Sequence, residues 1–438
     1  LSFLSITAYR AYHTWSTWDE DASPVAVNQL DNKLDNWQFT QEMRLLGTAG
    51  NVDWTLGGFY LDQESTYNAR VDLNYALIDF LHGPDPTPAH TWALFAHGNW
   101  HVTDNWNVIG GVRYSDEYKS YTHYRRNPDG SAIGSQGPTF PPIPVDFINI
   151  RLTGVNGLTA KFTDSRVDWR VATDYTFDND VMLYSSASTG YKSGGVNPRP
   201  FFPAQLKTFT PETVISYELG VKSTLLDDAL RVNAAVFYTD YSDIQLTLTQ
   251  CEVPPFIDPD GIAAPCLKPA NVGDAHIKGL ELEAMWYPAE GLMIDASASW
   301  LDFEYTYVDP LALGGSSIAP LDMITPYTPK NKWSAGIQYT FSMTNGSGFT
   351  LRLDGSHQGD QYADATNDPI NQIDGFTLFN ALAWWDSPDA DWRIEFQWLN
   401  FTNKLYYMDL YDVHSSQGTV LAQPGLPQTF NISFTRNF

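Results

Sequence analysis

In ALRVNAAVFYTDY (229–241), Leu230, Val232, Ala234, Val236 and Tyr238 fall on one side of the chain and Arg231, Asn233 and Thr239 on the other. A period of two belongs to a β-strand whose faces meet different surroundings. The pattern recurs in NVDWTLGGFY (51–60), where Val52, Trp54, Leu56 and Tyr60 align, and in GLELEAMWY (279–287), where Leu280, Leu282, Ala284 and Trp286 oppose Glu281 and Glu283. It persists to the last residues, TFNISFTRNF (429–438), with Phe430, Ile432 and Phe434 on one side. A chain end ordinarily frays, so this one predicts a paired strand, as in a closed barrel with no free edge.

The same signals predict sixteen strands, near 1–12, 36–48, 51–66, 90–103, 105–120, 165–177, 181–192, 211–223, 229–247, 276–287, 291–306, 331–341, 348–360, 375–385, 391–401 and 427–438. Short connections carry turn residues: TAGN, TDN, DND, LLDD, PAEG, TNGSG and SPDAD. Between the hairpins they make lie eight much longer segments rich in Gly, Pro, Asp and aromatics, the largest at 121–164. Short turns at one end and long loops at the other are the asymmetry of a transmembrane antiparallel β-barrel. A soluble β-sandwich also alternates, but it has no need of a long loop at every second connection or an apolar face on every strand.

Composition changes the picture in one respect. Despite a net charge of -26, the chain is 14% aromatic and only 17% charged, which excludes a disordered acidic tail. Its longest apolar runs, WALFA (92–96) and ALAWW (381–385), fall far below the roughly 18–20 residues of a spanning helix. Any membrane crossing is therefore made by strands, whose alternation hides in average hydropathy. Trp54, Trp92, Trp106, Tyr238, Trp286 and Trp392, near strand ends, suit interfacial aromatic girdles. The first residues, LSFLSITAYRAY, already have strand character and show no signal peptide.

Several segments carry a resemblance. YELGVKSTLLDDALRVNAAVFYTDYSDIQ (217–245) resembles a hairpin of TonB-dependent outer-membrane receptors, as do ASTGYKSGGVN (187–197), NVGDAHIKGLELEA (271–284), WLNFTNKLYY (398–407), QEMRLLG (41–47) and DWTLGGFY (53–60). The resemblance spans essentially the whole chain and implies a 22-stranded barrel preceded by a plug domain and TonB box, neither of which is recognised here. Residues 1–438 are thus expected to be the C-terminal portion of such a barrel, or a shortened member. The implied function is active uptake across the bacterial outer membrane of a scarce ligand such as a ferric siderophore. The implied partners are the TonB complex through the plug, outer-membrane lipid and lipopolysaccharide, the chelate, and the barrel-assembly machinery, with Phe438 as its C-terminal signal. No nucleic-acid partner is expected. A passive sixteen-stranded diffusion porin is the alternative, and a surface adhesion barrel a third reading.

Chemistry adds less. No Gly-rich phosphate loop ending in Lys-Ser/Thr, His-Glu-x-x-His pattern or Gly-x-Ser-x-Gly elbow is present, so no enzyme, catalytic residue, resident cofactor or metal site is expected. GYKSGG (190–195) leads into VNPRPFFP rather than a helix, so its glycines are assigned to a bend at the barrel rim. Cys251 and Cys266 share one Pro-rich loop, and in the oxidising compartment the resemblance implies they are expected to pair. The loop residues singled out for cargo are the aromatics Trp15, Trp18, Tyr121, Tyr124, Phe201, Phe202 and Tyr411, which can stack on a planar ligand, and the cations Arg125, Arg126, Lys192 and Arg199, which can meet an anionic one. The histidines His13, His82, His123, His276 and His414 also fall where they can reach a ligand, and the acids of WDEDASP (18–24) where they can meet divalent cations.

Overall fold

The computed structural model describes residues 1–19, 24, 28–73, 78–132, 155–200, 203–248, 268–309, 320–365, 367–412 and 419–437. Sixteen long strands dominate it: β1 (Ser2–Asp19), β2 (Asn28–Ala49), β3 (Val52–Leu73), β4 (Ile78–His101), β5 (Trp106–His123), β6 (Leu158–Thr176), β7 (Val181–Lys192), β8 (Glu212–Leu225), β9 (Leu230–Leu248), β10 (Lys268–Ala289), β11 (Leu292–Val308), β12 (Asn331–Ser342), β13 (Gly348–Gln358), β14 (Phe376–Asp386), β15 (Trp392–Leu399) and β16 (Thr429–Arg436). Each corresponds to one strand expected from the alternation. Every strand pairs antiparallel with its sequence neighbours, making one continuous meander. Among the described residues, β1 and β16 form its two ends, and β16 pairs with β15 through Trp398↔Phe430 and Ile394↔Phe434.

Register shows why the alternation matters. Leu219, Val236 and Leu280 lie side by side across β8, β9 and β10. Ile337, Leu353, Ala381 and Trp398 make another such row across β12 to β15. Leu56 and Ala96 lie side by side across β3 and β4. These side chains are open to the surroundings, with Val236 at 48% and Leu353 at 53% exposure, so the sheet presents a continuous apolar face that only lipid can cover. The opposite face is polar: Arg352 of β13 donates to both Asp295 oxygens at 2.7 and 3.1 Å and reaches Asp354 at 2.7 Å. Apart from register shifts such as Tyr67/Ala69 and Tyr241/Ile244, the ladders run on between neighbouring strands, and such pairing is the condition for strands in hydrocarbon.

Seven short connections alternate with eight that leave the opposite edge of the sheet, and all but one of these eight are long, the one between β3 and β4 being reduced to residues 74–77 by the height of those strands. The short turns are tight: Leu226, Asp227 and Asp228 all take positive φ, as do Asp180 and Ala390 in theirs. At the long-loop edge the packed core is small, with Ile244, Val272, Ala275, Phe303, Tyr305, Val308 and Met323 buried together above β9 to β11.

The structure departs from expectation in height. β2, β3 and β4 run on through residues expected to be loop, and β1 continues to Asp19. Trp15, Trp18, Tyr121, His13 and His82 are therefore strand residues rather than loop residues. The misleading signal was PDPTP (84–88). A proline has no N–H to donate, but prolines two residues apart direct the missing donors to one strand edge. There, Asp85 and Thr87 pair with Tyr67 and Ser65 of β3, while β5 joins β4 only from Ala89 onward.

Candidate functional site

The long-loop edge carries its densest polar cluster where β3, β4 and β5 rise together. Gly83 interrupts β4 with a register shift opposite Tyr67 and takes φ +93, and a Cβ there would lie 2.2 Å from the Tyr67 carbonyl. Only glycine fits this kink. It turns His82 and Asp85 inward, beneath the short strand Arg125–Arg126 that pairs with Leu81 and His82.

Asp85 is the hub. Its carboxylate accepts from the Tyr124 amide at 2.6 Å and from Arg125 Nη1 at 3.1 Å, and both Asp85 and Arg125 are essentially inaccessible. His82 Nδ1 lies 2.8 Å from Asp85 Oδ2 but is poorly aligned for a hydrogen bond. Backbone contacts complete the clasp: Gly83 N–H donates to Tyr124 O, Arg126 Nη2 to Gly83 O, the Arg125 amide to Asn156 Oδ1 and Gly157 N–H to His123 O. Both ends of the largest long connection are thereby tied to β4 and β5. Aromatics line the cluster, with Tyr121 stacked on His123 at 4.3 Å, Tyr67 edge-on to His82 at 5.1 Å and the Arg125 guanidinium over Phe80 at 5.7 Å.

Burial sets the charges. It pushes His82 down to about 4 and His123 to about 3, the nearby Arg125 cation adding to the second shift, so both imidazoles are neutral at pH 7. Burial alone would push the Asp85 carboxyl up, but His82, the Arg125 cation and the Tyr124 amide hold it below its ordinary value. Burial lowers Arg125, partly offset by Asp85, and raises the Tyr67 and Tyr121 hydroxyls.

Of the sequence-predicted residues, Tyr121, Tyr124, Arg125, Arg126 and Arg199 come together here, Arg199 as a cation close to Tyr67. Arg125 is engaged inside the cluster, whereas Tyr124 and Arg199 face solvent. Other residues lie elsewhere. Trp15 and Trp18 are exposed on β1, where Trp15 Nε1 donates to Asp31 at 2.6 Å. Lys192, at the end of β7, is 3.9 Å from Glu212. Tyr411 lies on a separate hairpin opposite Leu421, near the hydrogen bond from Tyr327 to Asp409. His13 meets Asp35 at 2.5 Å and His276 meets Asp240 at 2.9 Å. Phe201, Phe202, Cys251, Cys266, His414, Phe438 and the acids Glu20 and Asp21 lie outside the described residues. No metal-ligating group of three or more acids, histidines or cysteines occurs among the described residues.

Sequence reasoning missed Asp85, Tyr67 and Phe80. The available signal was His82 and Asp85 three residues apart around Gly83-Pro84, with two consecutive arginines to match. GYKSGG has a packing role: a Cβ on Gly194 would lie 2.3 Å from Phe209 O, and Lys119 donates to Ser193 Oγ at 2.5 Å and Gly194 O at 3.0 Å.

Residues 2–402 match the family model described as TonB dependent receptor-like, beta-barrel. The pesticin receptor of Yersinia pestis is 27% identical over 384 residues, covering 87% of this chain and 49% of that protein. The ferrioxamine B receptor of Salmonella typhimurium is 26% identical over 225 residues, covering 51% of this chain and 27% of that protein. The chain thus spans about half the length of the first of these curated relatives. Among solved structures, the ferric yersiniabactin uptake receptor FyuA from Yersinia pestis superposes with TM-score 0.77 at 21% identity, over 100% of this chain and 58% of that one. The siderophore receptor PiuA from Acinetobacter baumannii gives 0.72 at 14% identity, over 99% and 62%. At these identities the superpositions speak for the fold.

Proposed function

Since this chain belongs to the TonB-dependent receptor family, as β-barrel of the Gram-negative outer membrane, we propose that it forms the wall and outer capture surface of an energy-coupled transporter for a ferric siderophore or similar chelate. The observation that carries this reading is the match over residues 2–402, on a meander whose long connections all leave one edge. Similarity to receptors named for pesticin and ferrioxamine B supports a chelate as cargo. The chemistry needed of such a surface is stacking and cation contact. At the long-loop edge Tyr124, Arg126 and Arg199 offer both beside the clasp, and Trp15, Trp18, Lys192 and Tyr411 offer more around the rim.

In this reading the barrel binds and orients cargo and performs no catalytic step. TonB supplies energy through a plug domain, lipopolysaccharide surrounds the rim, and the barrel-assembly machinery inserts the strands. A passive porin shares the strand pattern, but the family match favours the receptor. The discriminating experiment deletes the gene in its host and follows uptake of a panel of radiolabelled ferric chelates with and without TonB. Loss of uptake of one chelate, matching the loss in the TonB-deficient strain, is the expected result. Unchanged chelate uptake with slower entry of small polar solutes would replace the receptor with the porin.

A further inference from the structure

Three buried side chains at the root of the largest long connection carry polar atoms with no hydrogen-bond partner: Nε2 of His82, both ring nitrogens of His123, and Nε and Nη2 of Arg125, while His82 Nδ1 faces Asp85 Oδ2 at 2.8 Å. The residues are 4%, 0% and 1% exposed, so bulk water does not satisfy them. Buried polar groups in folded proteins are almost always paired, and an unpaired guanidinium edge is among the costliest exceptions. Arg125 spends Nη1 on Asp85 and the Tyr124 carbonyl, leaving its other edge unused.

The unmatched groups are mostly donors. Nε and Nη2 of arginine can only donate, and neutral His123 offers one N–H and one lone pair, whereas His82 keeps its one N–H on the Nδ1 that faces Asp85. Formal charge has the same sign: Asp85 balances Arg125, and Arg126, bonded to Gly83 O, and Arg199, close to Tyr67, add positive charge beside the cluster. A metal cation is disfavoured by the guanidinium at its centre, and the near-complete burial of His82, His123 and Arg125 favours a small ligand over a group carried on a larger molecule. A water molecule brings as many donors as acceptors and relieves the excess only in part.

We propose that His123 and the free edge of Arg125, beside His82, enclose a small monoanion of halide size, which completes the clasp on the long connection. The site is separate from the capture surface and stands whether or not the cargo is an iron chelate. The anion would take N–H groups from Arg125, which lies over Phe80, and from the His123 imidazole, which Tyr121 holds in place by stacking. Bound only to the closed arrangement, it would favour closure by mass action.

The test uses the full receptor purified in detergent, with sodium bromide as probe. Crystals grown in bromide should give an anomalous peak within hydrogen-bond distance of Arg125 Nε and Nη2. In solution, hydrogen exchange of residues 121–132 should slow saturably as bromide or chloride replaces gluconate at constant ionic strength. Arg125→Gln should abolish that halide dependence. If this variant does not fold, His123→Phe keeps the stack on Tyr121 while deleting a donor, and should raise the half-saturating bromide concentration about tenfold. A water-shaped density with no anomalous signal, a halide at surface sites only, or identical halide dependence in both variants would overturn the proposal.

Discussion

Strands β2, β3 and β4 run for 22, 22 and 24 residues, whereas β13, β14 and β15 run for 11, 11 and 8. The short strands are about the length needed to cross hydrocarbon, and their apolar face extends over most of it. The tall ones share that face near the short turns and then continue with residues such as Asp62, Glu64, Asp72 and Asp79, where no lipid rewards pairing. Two kinds of sheet thus share one register. The low side is stabilised by what lies outside it, the tall side by what it encloses, namely the Asp85 clasp with its polar and aromatic lining.

The sharpest way to break that difference is Asp85→Ala. Removing one partner of a buried pair leaves Arg125 unbalanced and should cost the tall side about 3–5 kcal/mol. Hydrogen exchange at Gly83 and Tyr124 should accelerate accordingly while β13 to β15 stay protected. Equal acceleration in both regions would mean that they are one cooperative unit. On the lipid-facing side, Val236→Arg, between Leu219 and Leu280, should destabilise the barrel by about 2–4 kcal/mol in urea unfolding from detergent. Asn233→Leu, on the polar face, should do less; the reverse order would invert the assignment of faces.

Acid should separate the regions without mutation. The folded values of about 4 for His82 and about 3 for His123 lie below the ordinary 6.5, so above 6.5 neither group affects stability. As pH falls from 6.5 towards 4, the opened state gains protons that the closed state refuses, and closure is progressively lost. Opening of the clasp should rise by up to about tenfold per pH unit for each histidine, and His123→Phe should flatten the profile. The smallest effect is expected at Arg393, exposed at the short-turn end of β15 and paired with Asp386 at 2.7 and 3.1 Å. Arg393→Gln should shift stability by only about 0.2–1 kcal/mol.

The same division governs how much was legible beforehand. All sixteen strands were visible because lipid on one face and water on the other impose a period of two, as Leu280, Leu282 and Ala284 against Glu281 and Glu283 show. Height was not visible, because above the apolar band pairing no longer needs that period, and prolines 84, 86 and 88 look like loop until the neighbouring edge is known. The site was half visible. Arg125, Arg126 and Arg199 stood out as scarce cations in an acidic chain, but Asp85 looked like one acid among many. Its role depends on Gly83 turning it under Tyr124, a tertiary fact.

Alternation of short and long connections also makes the wall a matter of parity. Each strand carries the chain from one compartment to the other, so gaining or losing a hairpin preserves the sidedness of everything downstream, while gaining or losing one strand reverses it. The sheet can therefore vary in circumference only in steps of two, and its long connections, each between strands that already pair with each other, can change in length and content without disturbing that count.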